Sequence, residues 1–279
     1  MTGNWSMALH GGARTIAPAQ EAANREGARR ALEAAVDVLS AGGGALDACI
    51  AAVLSLEACP CFNAGVGAVR NSHGETELDA AIMDGATLDI GAVGALKHVD
   101  HPILVAQALL REESTFVVAD GAGRLAEAQG LLRSVPPHPP GAHAGKDTVG
   151  AVARDNEGHV AVAISTGGLD GALPGRIGDA PLPGCGFYAD DRAGAVCFSG
   201  DGERIARTML AARVIAILER GDDAQSAAEA SLQHLARVGG EAGAIVMNAG
   251  GEIGWAHNSD HFTVAMQRAG APAQIHLKR

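Results

Sequence analysis

The sequence predicts an α+β protein in which layered sheets are flanked by helices. Three observations carry that prediction. Strand-like segments cluster between runs of helix, without the strict strand–helix alternation of a doubly wound fold. Small residues dominate, with 57 Ala by direct count and 38 Gly in 279 residues. Rings are scarce at five Phe, two Trp and one Tyr, so the core must be built from Ala, Val, Leu and Ile, which let layers approach closely. Hydrophobic residues reach 47% and charged ones 19%, a balance that excludes a disordered chain. The glycines follow no three-residue period, which excludes collagen. The length suits one large domain or two small ones.

Residues 5–10 read as a short strand stopped by Gly11-Gly12. Residues 20–41 carry an apolar stripe at Ala28, Ala31, Leu32, Ala35, Val36 and Leu39, which marks a helix ended by Gly42. Residues 45–58 form a second helix, apolar almost all round and therefore buried. Pro60 breaks the pattern as far as Gly67. Residues 77–84 and 90–97 look like strands about an Asp84-Gly85 turn, and 102–111 and 121–132 like helices. Residues 134–145 hold four prolines and three residues of Gly or Ser, which read as an exposed connector. Strands follow at 148–153 and 160–166 around Asn156-Glu157-Gly158, then a third at 193–198. Helices at 203–220 and 224–238 precede closing strands at 244–248, 252–257 and 262–267.

The formal net charge is −11 and no basic run stands out, which argues against a nucleic-acid partner. No apolar run reaches a membrane-spanning length. The first ten residues lack a secretory pattern, and an odd count of five cysteines fits a reducing cytoplasm. Cys59-Pro60-Cys61 has the spacing C-x-C with no second pair, which favours a structural role over a metal or redox pair.

The connector runs into the strand through Lys146-Asp147-Thr148. Taken alone, Thr148 is a β-branched strand residue. Were the bond before it cut, its hydroxyl would sit beside its own α-amine, a nucleophile and a base in one residue. An α-amine titrates at about 7.7–8.0, which suits a general base.

Seven segments sharpen this reading: His10-Gly11-Gly12-Ala13; Asn63-Ala64-Gly65-Val66-Gly67 with the run from Glu77 to Gly85; Asp147-Thr148-Val149-Gly150; Ser165-Thr166-Gly167-Gly168; the run from Pro174 to Leu182; Gly184-Cys185-Gly186-Phe187; and Gly200-Asp201-Gly202-Glu203. In this order they resemble the isoaspartyl aminopeptidase/plant-type L-asparaginase family of N-terminal nucleophile hydrolases, over roughly residues 5–260. The resemblance implies a four-layer αββα sandwich, one structural domain cut between Asp147 and Thr148. The pieces would be an α subunit, 1–147, ending in a linker at about 134–147, and a β subunit, 148–279. They would pair as an (αβ)2 dimer of heterodimers. The implied activity is hydrolysis of L-asparagine and β-aspartyl dipeptides through a threonine ester, without an organic cofactor.

The resemblance also assigns roles. Thr148 is the nucleophile and Thr166 orients it. Arg176 binds the substrate's α-carboxylate, and Asp179 with the Gly202 carbonyl binds its α-ammonium. Ser199, where the family has Thr, and Gly200 form the oxyanion hole. Asn63 lies near the nucleophile. A sodium ion is implied on the backbone carbonyls of Leu56, Glu57, Cys59, Phe62, Ala64 and Val66. Asp201 departs from the family's uncharged or basic residue and leaves the preference between asparagine and dipeptides open. Alternatives are a glycosylasparaginase-like relative, a protease-like relative with long insertions, and a binding protein that never cuts itself.

Overall fold

The computed structural model describes residues 3–110, 112–133 and 147–278. Of the connector expected over 134–147, only Asp147 lies among them. Two sheets pack face to face. In chain order the strands are β1 (Ser6–Arg14), β2 (Leu78–Asp84), β3 (Ile90–Leu96), β4 (Phe116–Val118), β5 (Val149–Arg154), β6 (Val160–Thr166), β7 (Phe187–Asp190), β8 (Gly194–Gly200), β9 (Ala242–Asn248), β10 (Ile253–His257), β11 (His261–Arg268) and β12 (Gln274–His276). The larger sheet has eight strands in the order β12-β11-β1-β5-β6-β2-β3-β4, and the smaller has four, β10-β9-β8-β7. The central members of the larger sheet are β1, β5, β6 and β2. Helices α1 (Pro18–Ser40), α2 (Ala45–Glu57), α3 (Pro102–Leu109) and α4 (Ala119–Ala128) cover its outer face. Helices α6 (Leu210–Leu218) and α7 (Ala224–Ala236) cover the smaller sheet.

Three apolar layers hold these four together, and strand alternation makes them. In β1, Met7 and Leu9 face the helices while Ala8 and Ala13 face the other sheet. In β5, Val149, Ala151 and Ala153 face the helices, and Val152 points between the sheets. In β8 (Gly194–Gly200), Ala195 and Cys197 face inward, whereas Val196 and Phe198 meet α6 and α7. The αββα sandwich expected from the resemblance is thus the observed architecture.

Most expected elements appear within a residue or two of their bounds, and three differences have physical causes. The first strand does not stop at Gly11-Gly12: β1 runs on to Arg14, and its pairing with β11 (His261–Arg268) slips between His10 and Ala13. The helix expected over 203–220 is two, α5 (Gly202–Thr208) and α6, separated by Met209 at a left-handed φ of 49°. There the amides of Ala211 and Ala212 donate to the carbonyls of Cys185 and Gly184, so the i→i−4 ladder is broken by tertiary partners. The apolar period runs through the break unaltered, which hides it from sequence. Finally, β4 (Phe116–Val118), β7 (Phe187–Asp190) and β12 (Gln274–His276) were not anticipated. Three or four residues are too short for a period to register.

The β5–β6 hairpin sets the register on which the site depends. Its turn is organised by buried Asp155, whose Oδ1 accepts from the amides of Glu157, Gly158 and His159, each at 3.0 Å. Its Oδ2 accepts from the Ala45 amide at 3.1 Å, tying the start of α2 to the sheet. We expect Asp155→Ala to lower stability by about 2–3 kcal/mol, since four amides lose their acceptor at once. The denaturant midpoint should fall with little change in slope, and an unchanged midpoint would refute this account.

Candidate active site

Antiparallel pairing brings the start of β5 beside the end of β6, with Val149 opposite Ser165 and Gly150 opposite Ile164. Continuing that register puts Thr148 and Thr166 side by side on the face that meets the smaller sheet. Across from them lies the end of β8, with Ser199 and Gly200. The loop between β6 and β7 brings in Arg176 and Asp179. Thr148, Thr166, Arg176, Asp179, Gly200 and Gly202 line one small cavity. Asn63 reaches the same point from the loop after α2 through its side-chain amide.

At the centre lies the Asp147–Thr148 peptide, buried on both sides of the bond. The Asp147 carbonyl oxygen accepts from Thr166 Oγ1 at 2.8 Å and from Asn63 Nδ2 at 3.1 Å. Thr166 is therefore engaged with the carbonyl preceding Thr148. Asn63 is held as a rigid donor: its Nδ2 also reaches the Gly168 carbonyl at 2.8 Å, and its Oδ1 accepts from the Val69 amide at 3.0 Å. On the other side, Ser199 Oγ accepts from the amides of Thr148 at 3.3 Å and Ala13 at 3.0 Å. Two accepted bonds leave its O–H available to donate.

The Asp147 side chain is buried too. Its Oδ2 pairs with Arg14 Nε at 2.5 Å, and Arg14 also donates to Asn24 Oδ1 and the Cys61 carbonyl, both at 3.1 Å. Burial nevertheless pushes the Asp147 carboxyl up to about 7, with Arg14 pulling the other way. Gly12 permits the arrangement: it sits at φ 108°, and a Cβ there would overlap Asp147 Oδ1. His10 faces the Thr148 backbone from β1, and burial holds its imidazole neutral, down to about 3.

Arg176 and Asp179 stand at the outer end of the cavity. Burial pushes Asp179 up to about 7, and its Oδ2 has no hydrogen-bond partner among the described residues. Asp79, opposite Thr166 on β2, is also pushed up to about 7 by burial. Its Oδ1 accepts from the Ala95 amide at 2.9 Å. Arg176 makes a two-point ion pair with Glu203, at 2.8 and 2.9 Å. Asp201 is turned away, its Oδ2 accepting from the Glu241 amide at 3.0 Å and lying 3.8 Å from Arg204 Nε.

The sequence reading assigned no role to Arg14, Asp79 or Glu203. Arg14 left a signal, the one formally charged residue in the strand SMALHGGAR, which a buried position would pair with an anion. Nothing in the spacing names Asp147 as that anion. Asp79 and Glu203 stood inside quoted segments, but their partners come from distant loops.

A four-layer sandwich that seats a threonine at the inner end of a central strand, with a second threonine and an oxyanion-type donor beside it, is the architecture of the N-terminal nucleophile hydrolases. A model of the asparaginase family matches residues 3–139 and 133–277. The chain is 40% identical over 266 residues to an isoaspartyl peptidase/L-asparaginase of Xenopus laevis, covering 88% of this chain and 86% of that one. It is 38% identical to an isoaspartyl peptidase of Salmonella typhimurium, with 95% of each covered. The isoaspartyl peptidase of Escherichia coli is 36% identical, with 95% of this chain and 93% of that one covered. This chain belongs to the asparaginase family.

The Arg14–Asp147 pair yields a stability test. In a Thr148→Ala background that keeps the chain whole, we expect Arg14→Ala to cost about 2–4 kcal/mol, because a buried carboxyl loses its countercharge. Asp147→Asn should cost less. Chemical denaturation compares them, and equal or reversed costs would contradict a buried pair of this kind.

Proposed function

We propose that this chain cuts itself between Asp147 and Thr148 and then hydrolyses the side-chain amide of L-asparagine and the isopeptide bond of β-aspartyl dipeptides. The carrying observation is the buried Asp147–Thr148 peptide, whose carbonyl is already polarised by Thr166 and Asn63. The names of the relatives support the substrate class.

For the cut, Thr148 Oγ attacks the Asp147 carbonyl carbon, and the hydroxyl proton ends on the Thr148 nitrogen as the C–N bond breaks. Negative charge grows on the oxygen that Thr166 and Asn63 already hold, in a site that excludes bulk water. Collapse passes the Asp147 acyl group to Oγ and leaves the Thr148 nitrogen as a free amine. Water then hydrolyses that ester.

In the cut enzyme the α-amine of Thr148 takes the proton from its own Oγ as the latter attacks the substrate's side-chain carbonyl. Arg176 receives the α-carboxylate through paired N–H donors. Asp179, with the Gly202 carbonyl, receives the α-ammonium. The Ser199 hydroxyl and Gly200 amide stabilise the tetrahedral oxyanion. Ammonia or an amino acid departs with the proton, and water releases aspartate from the Thr148 ester. With Asp201 turned to Arg204 and Glu241, it adds little charge to the leaving-group side.

The resemblance further implies a sodium ion on the loop after α2, which the backbone carbonyls of Leu56, Glu57, Cys59, Phe62, Ala64 and Val66 would hold as the oxygen ligands a hard cation prefers. The Leu56, Cys59, Phe62 and Ala64 carbonyls each accept one backbone amide, which leaves each a second lone pair for such an ion. Its contribution would be to fix the loop that presents Asn63. We further place the enzyme in the cytoplasm as an (αβ)2 assembly. The described residues contain no helix long and apolar enough to cross a membrane, and all five cysteines are free.

Denaturing electrophoresis of purified protein should show two bands that split after Asp147, with hydrolysis of β-aspartyl dipeptides. Thr148→Ala should give one full-length, inactive band. Two bands from that variant, or a single inactive band from the parent, would refute the reading and favour a binding protein.

The pH dependence follows from Asp179. It must be ionised to hold an ammonium, and burial sets its proton loss at about 7. Below that pH the carboxyl is protonated and must release its proton on binding, so KM for L-asparagine should rise by up to about tenfold per pH unit. Above pH 7 KM should level off. Asp179→Asn should weaken binding and flatten the profile, which steady-state kinetics from pH 5 to 8 can check.

A further inference from the structure

The guanidinium of Arg176 is already holding a carboxylate. Glu203 sits in the first turn of α5, and its Oε1 and Oε2 accept from Arg176 Nε and Nη2 at 2.8 and 2.9 Å. These are the two parallel bonds that an amino acid's carboxylate makes with a guanidinium. The backbone that carries Glu203 is anchored, since the Asp201 amide donates to the Glu241 carbonyl at 2.8 Å and the Glu241 amide to Asp201 Oδ2 at 3.0 Å. The side chain is 60% exposed, against 18% for Arg176.

Charge makes this contact consequential. Arg176 faces Asp79 and Asp179 as well as Glu203. With Glu203 seated, both of the guanidinium's paired donors Nε and Nη2 are already engaged. Asp79 and Asp179 are buried and fixed, whereas Glu203 can turn into water at small cost, because an exposed ion pair is weak. Once it leaves, Arg176 and Asp179 are opposite charges matched to a zwitterion.

We propose that Glu203 is a specificity-determining residue, an internal carboxylate that a substrate's α-carboxylate must replace on Arg176. This rests on the reading of Arg176 as the carboxylate site. The residue then sets a threshold: a ligand with an α-carboxylate displaces Glu203, whereas one without leaves it seated and gains nothing from the guanidinium.

The experiment is a double-variant cycle on self-cut enzyme, with electrophoresis confirming the cut in each variant. Glu203→Gln should lower KM for L-asparagine and the inhibition constant of L-aspartate by about threefold to fivefold, the scale of an exposed pair. Glu203→Ala should act in the same direction and stands in if the Gln variant misfolds. The inhibition constant of 3-aminopropanamide, which keeps the ammonium and amide but lacks the carboxylate, should not fall. In an Arg176→Ala background, Glu203→Gln should no longer lower KM. A KM that rises or stays level in both Glu203 variants would overturn the proposal and make Glu203 a support for Arg176. A fall that persists without Arg176 would overturn it too. If Arg176→Ala alone leaves KM unchanged, it is the carboxylate reading of Arg176 that fails.

Discussion

A peptide group buried between two sheets must have its hydrogen bonds made by protein. The Asp147–Thr148 bond is such a group, and much of the site follows from that obligation. Its carbonyl is satisfied by Thr166 and Asn63, its nitrogen by Ser199. Donors that hold a neutral carbonyl hold a developing oxyanion more strongly, because charge-assisted bonds are stronger and the surroundings are poor in water. The groups that burial demands are therefore the ones that bond cleavage needs. Orientation is supplied at one remove. Asn63 is clamped by Val69 and Gly168, and Thr166 Oγ1 accepts from the Gly168 amide at 3.1 Å.

Charge obeys the same constraint in the opposite sense. Asp79, Asp147 and Asp179 are buried, and each is pushed up to about 7. A protein assembled only for stability would avoid three such carboxyls. Asp147 has Arg14 as its partner. Asp179 keeps an oxygen without a hydrogen-bond partner among the described residues, and an ammonium placed there would meet it. On the proposed reading, that cost is what a substrate's ammonium relieves. Glu203 supplies the complementary cost on the guanidinium.

The layered α+β arrangement was legible because alternation and helical stripes survive in a chain of small residues. Helices α1 and α2 and strand β6 were placed closely for that reason. Element breaks imposed by tertiary partners, such as the one at Met209, leave no trace in the period. The threonine pair could be reasoned from strand direction, since an antiparallel hairpin must bring the start of one strand beside the end of the other. The actual partner of Thr166, the Asp147 carbonyl, depends on where the chain before β5 lies, which no local pattern specifies. For the same reason Arg176 could be named as a carboxylate ligand while Glu203, 27 positions on, went unpaired.

The Arg14–Asp147 pair gives the proposed cut a direction. Before cutting, one guanidinium faces one buried carboxyl, which is tolerable. Cutting gives Asp147 a second carboxylate in the same buried space, next to the new α-ammonium of Thr148. Once that ammonium gives up its proton to act as the base, one Arg14 faces two carboxylates, which water solvates better than the buried site does. The new chain end is thus driven outward by the charge that its own formation creates. The cavity lined by Asp147, Thr148 and Thr166 is then vacated at the moment the nucleophile acquires its base. A substrate's side-chain carbonyl could then enter where the Asp147 carbonyl lay, so the proposed cut would also clear the room for the reaction that follows it.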